Sequence, residues 1–513
     1  MGLYTGMLAG EGEEPTGIDG AISSALSPIA TFVEDVVFFS IPIAGTDTPL
    51  IVLWLVIAAV GFTFYFGFIN IRGFKHGIDL VRGAHDDPEG EGDTSHFQAL
   101  TTALSSTVGL GNIAGVAVAI SIGGPGAALW MMAGGFFGMT TKFHECTLGV
   151  LYRRTNEDGT VSGGPMYYLR RGFEEKGQAG LGKVLAAAFS VFVIGGALGG
   201  GGMFQVNQAY SQTVAVTGED SSFFADKAWL FGLIVAVIIG AVIIGGIQSI
   251  AAFTSRVVPL MAALFVISGI VIIVANITEL PNAVGEILSG AFTGEGVTGG
   301  VIGVIIVGFQ RAAFSNEAGL GSAPIAHSSV KTREPLTEGF VGLLEPFIDT
   351  IVICFVTASV IVITGAYETD SDEVEGIALT SRAFESVAGW FPYVLTIAVL
   401  LFALSTMIAW SYYGLKGFTY LVGEGNAKTK GFQLVFCLFM VVGATLTLDD
   451  IVGLMDGLLF LMALPNVVGL YLLAPMVKRR LDEYWGHVKA GDLEAAYATS
   501  GAAQDRDLDD EHA

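Results

Sequence analysis

Ala103-Leu-Ser-Ser-Thr-Val-Gly-Leu-Gly-Asn-Ile-Ala-Gly115 and Gly308-Phe-Gln-Arg-Ala-Ala-Phe-Ser-Asn-Glu-Ala-Gly-Leu-Gly-Ser322 are the stretches on which the reading of this chain turns. Each sets hydroxyl, amide and glycine residues inside a run that is otherwise apolar enough for lipid. A helix unwound there frees backbone N–H and C=O groups in a medium without water, which is costly unless a partner satisfies them. Two such breaks predict discontinuous membrane helices built around something that binds bare backbone.

The rest of the chain agrees. Of 513 residues, 52% are apolar and only 14% are charged, a balance unlike that of a soluble protein. Leu50 to Ile69, Lys183 to Ala215, Trp229 to Ile247 and Val257 to Ile277 are each long enough to cross a hydrocarbon core of roughly 30 Å as a helix. About eleven spans are expected, near 49–71, 96–121, 124–150, 183–212, 228–247, 249–276, 298–322, 339–365, 386–415, 431–447 and 450–477. The 70 glycines fit a bundle in which small residues bring helix backbones together and permit deliberate unwinding.

Lys and Arg concentrate in loops that stay in the cytoplasm, which orients the chain. Arg72, Lys75 and Arg82 follow the first span; Arg153, Arg154, Arg170, Arg171 and Lys176 the third; Lys331 and Arg333 the seventh; Lys416, Lys428 and Lys430 the ninth; Lys478, Arg479 and Arg480 the last. The alternation is weak only after the fifth span, near Arg256. It predicts an odd number of spans, with the amino terminus outside and the carboxyl terminus inside, in the plasma membrane. Setting the first span (49–71) aside leaves two five-span units, 96–276 and 298–477. Because five is odd, they run in opposite senses, each opened by one of the breaks, as in inverted-repeat carriers. Residues 1–48 are read as an external segment whose Ala21 to Ile43 part is an interfacial helix, and 478–513 as an acidic internal tail.

The net charge of −24, from 48 acidic and 24 basic residues, disfavours nucleic acid as a partner. It suits soluble faces that meet very high salt, as in a halophile, or an ordinary protein with acidic tails. The three cysteines, Cys146, Cys354 and Cys437, fall within apolar spans and read as packing residues.

At the breaks, N–H groups at a half-helix N-terminus favour a carboxylate, and freed carbonyls suit sodium. In the first break Leu110 and Gly111 are placed to offer N–H groups, Ser105 and Val108 carbonyls, and Asn112 a side-chain oxygen. At the second, Phe309 packs either on ligand or in the core, and Arg311 and Glu317 either pair with each other or meet ligand. Glu145, Glu345, Asp349 and Asp456 are acids within spans and candidates for function by default. The His144-Glu145 pair lacks the second histidine of a metalloprotease helix, so no metal other than sodium is expected.

Ser106-Thr-Val-Gly-Leu-Gly-Asn-Ile-Ala-Gly115, Gly123-Gly-Pro-Gly126, Thr141-Lys-Phe-His-Glu-Cys-Thr147, Gly164-Pro-Met-Tyr-Tyr168, Phe314-Ser-Asn-Glu-Ala-Gly-Leu-Gly-Ser-Ala-Pro-Ile-Ala-His327 and Trp410-Ser-Tyr-Tyr-Gly414 resemble, in order, the signature blocks of the alanine-or-glycine:cation symporter family. That resemblance implies an all-α, LeuT-like 5+5 inverted repeat that imports alanine or glycine with Na+ by alternating access. It further implies that Thr107 to Asn112 hold the substrate carboxylate, with Gly109 and Gly111 letting ligand reach the backbone. Gln205 would be a polar contact, Thr406 would lend an oxygen, and Trp410, four residues on, would limit side-chain size. One sodium would sit among Ser105, Val108, Ser405 and Thr406.

Other readings are a proton-coupled carrier on the same fold, with Glu145 or Asp349 titrating, a carrier of another solute, and an amino-acid sensor. No Gly-Lys-Ser or Gly-Lys-Thr phosphate loop occurs, no enzyme nucleophile with its base is apparent, and no cofactor is expected.

Overall fold

The computed structural model describes residues 33–497 except 34, 44–45, 85–86, 88–89, 157–158, 295–298, 369–375, 447 and 494–496. Of the expected interfacial helix, Ala21 to Ile43, residues 33 and 35–37 are helical, Ser40–Ile43 is a strand, and the part before residue 33 lies outside the described residues. Ser40–Ile43 (β1) pairs antiparallel with Thr46–Pro49 (β2). In β2 Thr46 and Thr48 are buried while Asp47 is exposed, the two-residue alternation of a strand. Thr46 Oγ1 donates to Gly299 O at 3.0 Å, pinning the hairpin to the head of a later helix.

After Pro49 the chain forms α1 (Leu50–Tyr65), then the first broken helix, α2 (His96–Thr107) and α3 (Ala114–Gly123). α2 starts sharply because Ser95 and Gln98 form a reciprocal capping box. α4 (Ala127–Leu151), α5 (Ala179–Val216), α6 (Ala228–Ile243) and α7 (Gly246–Ala275) complete the first repeat. The second runs through α8 (Gly300–Asn316), α9 (Ala323–His327), α10 (Pro335–Ile363), α11 (Phe391–Val422), α12 (Asn426–Thr445) and α13 (Leu448–Ala490). The chain is an all-α polytopic membrane protein in which each repeat opens on a discontinuous helix.

Among the described residues six helices are long and apolar enough to cross a membrane, and the α2–α3 pair, bent by 61°, makes a seventh. The expected count of about eleven is reached only by adding the shorter α1, α6 and α8 and the more polar α4, which carries Lys142, His144 and Glu145. α13 does not stop near residue 477. It continues as helix to Ala490, so the start of the expected tail is part of the last helix. There Trp485 stacks on Phe340 at 5.5 Å and lies under the Arg72 guanidinium.

Among the helices with no counterpart in the sequence reading, one sits between the repeats. Leu280–Thr293 lies between the repeats and docks on the head of α4, where Trp130 Nε1 donates to Ala291 O at 3.0 Å. A Cβ at Gly126 would stand 2.2 Å from the Ala291 nitrogen, so only glycine allows this approach. On the side of the molecule that carries the basic loops, Arg153 donates to the Ser328, Val330, Glu91 and Thr332 carbonyls, fastening the segment before α2 to the one after α9.

Candidate functional site

The first break is built by two residues that leave the helical ladder. Val108 ends α2 at ψ 83°, which turns its carbonyl away from the helix axis, and Leu110–Asn112 form a single 3₁₀ turn before α3. Asn112 closes this turn by accepting the Gly109 N–H at 2.9 Å. Gln205 Oε1 accepts the Leu110 N–H at 3.2 Å, and its Nε2 donates to Gly200 O at 3.1 Å. Gln205 reaches the break because Gly199–Met203 winds as a π-helical turn inside α5, shifting the following residues.

α11 closes the other side. Ser105 Oγ donates to Ser405 O at 2.6 Å, so the two expected sodium-site serines do meet. Ser405 Oγ is itself turned back onto Phe402 O at 3.0 Å. Thr406 Oγ1 is buried and makes no hydrogen bond among the described residues. It faces the break: a Cβ at Gly109 would lie 2.6 Å from it and 3.3 Å from Gln205 Oε1. Gly109, Gln205, Ser105, Ser405 and Thr406 thus converge on one narrow polar spot. Thr107 Oγ1 turns back onto its own helix, to Ala103 O at 3.3 Å.

The second break follows Asn316, where Glu317 takes a left-handed φ of 56° and Gly319 and Gly321 have φ of 90° and 84°. A side chain at either glycine would be strained. The buried Glu317 carboxylate accepts the Trp410 indole N–H at 3.2 Å through one oxygen and the Ser322 hydroxyl through the other. Trp410 lies so close to the π-helical turn that a Cβ at Gly201 would meet its Cγ at 2.2 Å.

Several sequence readings need correction. Phe309 does not reach the first break: it packs beside Trp130, ring centroids 6.1 Å apart, and lines a small cavity against α1 with Val52, Leu55 and Gly134. Of the two alternatives open for Phe309, ligand or core, this is packing, and the aromatic at the break lies five residues further on. Phe314 is that aromatic, 3.0 Å from where a Cβ on Gly111 would be and edge-on to Phe204. Arg311 and Glu317 do not pair. Arg311 binds Asp456 of α13 at 2.5 Å and lies over the Phe314 ring. Asn112 is not free to point at an ion, since its Oδ1 is held by Gly109 and its amide donates to Asp349 Oδ1 at 2.6 Å and to Ser315 Oγ at 3.1 Å.

Glu345 and Asp349, four residues apart in one span, take different partners. Asp349 is bound by Asn112, Ser315 and Thr350, whereas Glu345 is paired with Lys142 at 3.0 Å. The π-helical winding of Phe347–Cys354 that begins between them breaks the four-residue register. Glu145 accepts from Asn466 at 2.5 Å, and His144 lies edge-on to Phe62 and Phe66.

Comparison with known proteins adds an independent line. The profile of the sodium:alanine symporter family matches residues 34–498. The sodium/alanine symporter AgcS of Methanococcus maripaludis is 40% identical over 435 residues, covering 84% of this chain and 92% of that protein. The probable sodium/glutamine symporter GlnT of Bacillus subtilis is 32% identical over 447 residues, covering 86% and 89%. Among solved structures, MhsT in complex with L-phenylalanine superposes with a TM-score of 0.50 at 15% identity, over 77% of this chain and 90% of that one, a likeness of LeuT-like fold alone.

Proposed function

Because this chain belongs to the sodium:alanine symporter family, whose members are transporters and not enzymes, and is a cation-coupled amino-acid symporter, we propose that it imports alanine or glycine together with Na+ across the plasma membrane. The basic loops then face the cytoplasm, with the amino terminus outside.

The observation that carries the sodium reading is the buried, unpartnered Thr406 hydroxyl aimed at the first break beside the Ser105–Ser405 contact. A neutral hydroxyl and carbonyls freed from the helical ladder are hard oxygen ligands for a small cation, and Val108 ends α2 with non-helical ψ. For the carboxylate, the acceptor now on Leu110 N–H is the Gln205 amide oxygen. A carboxylate oxygen can take its place, releasing Gln205 to contact the same ligand.

The small-substrate reading rests on crowding. Gly109, Gln205 and Thr406 stand almost in contact, and Trp410 is locked by Glu317. AgcS is named for alanine and GlnT for glutamine, so the size limit is the discriminating property. Uptake of labelled alanine into proteoliposomes under an inward sodium gradient, with glycine and glutamine as competitors, is the deciding experiment. Equal uptake without sodium removes the sodium reading, and stronger competition by glutamine than by glycine removes the small-substrate one.

Thr406→Ala should raise the sodium concentration for half-maximal uptake by roughly ten- to hundredfold. Losing a ligand to a charged group costs about 1.5–3 kcal/mol. Unchanged sodium dependence per purified transporter would take Thr406 out of the site. Trp410→Ala should admit larger side chains and weaken alanine transport, because deleting a buried indole opens the wall. Competition by leucine and methionine, compared with the parent, reads this directly.

A further inference from the structure

The second break opens on a residue with a long side chain in a conformation that glycine enters most easily. Glu317, at φ 56°, caps the end of α8, where its N–H still reaches Ala313 O at 3.0 Å and its own carbonyl accepts the Leu320 N–H at 3.1 Å. Outside glycine, asparagine and aspartate a left-handed backbone is uncommon, and it persists where the surroundings hold the residue in place. What holds Glu317 is its buried carboxylate. One oxygen accepts from the Ser322 hydroxyl and the other from the Trp410 indole at 3.2 Å.

Toward its Lys416 end, α11 is fastened to both broken helices. Trp410 Nε1 binds Glu317 at the second break, and Tyr413 Oη, on the next turn, donates to Ser106 Oγ of α2 at 3.2 Å. The two rings pack edge-on with centroids 5.4 Å apart. The stem of the indole is pressed against backbone: a Cβ at Gly201 would lie 2.2 Å from Trp410 Cγ and 2.3 Å from its Cβ, and one at Gly196 would lie 3.4 Å from Cζ3. That backbone includes the π-helical turn of Gly199–Met203, which cannot give way without moving Gln205 at the first break. With the turn on one side and Tyr413 on another, relief for the ring lies toward the Glu317 carboxylate.

We propose that Glu317 is a positioning residue that sets the upper size of the transported amino acid, by holding the Trp410 indole where it walls the site. Glu317 touches no cargo. It acts through one directional hydrogen bond, and shortening it leaves a void at the second break into which the indole can swing. A ring moved by the width of one methylene changes the choice between neighbouring side chains by roughly 10- to 200-fold. Selection between alanine and a longer side chain is therefore a property of the second break as much as of the wall itself. This inference rests on Trp410 being a wall of an alanine-sized site.

The test uses full-length protein in proteoliposomes, with labelled alanine uptake under an inward sodium gradient and leucine and glutamine as competitors. The quantity read is each competitor's inhibition constant divided by the KM for alanine. A structural defect lowers the fraction of active transporter and leaves that ratio alone. Glu317→Gly, which relaxes the backbone while deleting the carboxylate, should lower the ratio roughly tenfold. Glu317→Gln, whose amide oxygen still accepts the indole N–H, should restore the parental ratio. In Trp410→Phe, which has no N–H to hold, adding Glu317→Gly should change the ratio by less than about twofold. Ser322 makes no cap to α9, so Ser322→Ala loosens the carboxylate alone and should shift the ratio the same way by about threefold.

A parental ratio in active Glu317→Gly, an equal shift in Glu317→Gln, or the full shift in the Trp410→Phe background overturns the inference. Should Glu317→Gly fail to insert, a parental ratio in Ser322→Ala overturns it. Trp410→Ala separates the two readings. If it shifts the ratio while Glu317→Gly does not, the wall stands and the inference falls; if it leaves the ratio parental, the wall reading fails and the inference with it.

Discussion

Gly111→Val is expected to weaken alanine binding by roughly ten- to hundredfold in a protein that still inserts. A Cβ at Gly111 already stands 3.0 Å and 3.2 Å from two carbons of the Phe314 ring, and valine adds two methyl groups to a 3₁₀ turn that β-branched residues enter poorly. Phe314 cannot retreat freely, because it lies edge-on to Phe204 and under the Arg311 guanidinium. Overpacking of this kind costs about 1–3 kcal/mol, and here the strain falls on the turn that presents backbone to the ligand. Binding of labelled alanine to purified protein, with monodispersity as the control for folding, is the measurement. Near-parental affinity would mean that the Gly109–Asn112 turn is not the carboxylate site.

Arg311→Met should destabilise the protein by about 3–5 kcal/mol, the usual consequence of leaving one member of a buried ion pair alone. Asp456 Oδ2 loses the guanidinium at 2.5 Å, and its other oxygen makes no hydrogen bond among the described residues. Adding Asp456→Leu should restore much of the loss, because an apolar pair of similar volume has no charge to desolvate. Thermal unfolding of parent, single and double variants in one detergent reads both steps. A double variant no more stable than the single one would show that the pair acts through something other than its charges.

Both breaks were legible because hydroxyl, amide and glycine residues in an apolar run have few structural uses in lipid. The partners across the site were legible in part. Ser105 and Ser405 meet, and Thr406 and Gln205 face the first break, all through helices whose order in the two repeats was readable. Phe309 was left open between ligand and core, and Phe314 was not singled out, because a helical face cannot be assigned where the helix is about to end, and both phenylalanines lie in the C-terminal half of α8. The buried charges could not be paired from periodicity at all. Lys142 and Glu345, or His96 and Glu338, are separated by hundreds of residues and meet only through the packing of α2 and α4 on α10. The π-helical turns were equally hidden, since Gly199-Gly-Gly-Gly-Met203 reads as close-packing glycine rather than as one extra residue in a turn.

The last helix has a practical consequence. At 1.5 Å per residue its 43 residues span about 65 Å, roughly twice the thickness of a bilayer's hydrocarbon core. With Trp485 seated on Phe340 and Tyr484 hydrogen-bonded to His76 at 2.8 Å, the projecting end is braced against the head of α10 and the short helix Phe74–Val81. A spectroscopic label near Ala490 is therefore mounted on a helix end anchored in the bundle by these two contacts. Its distance from a label on Lys75, in the helix that Tyr484 binds through His76, reports whether that end stays docked, without touching any residue of the candidate site.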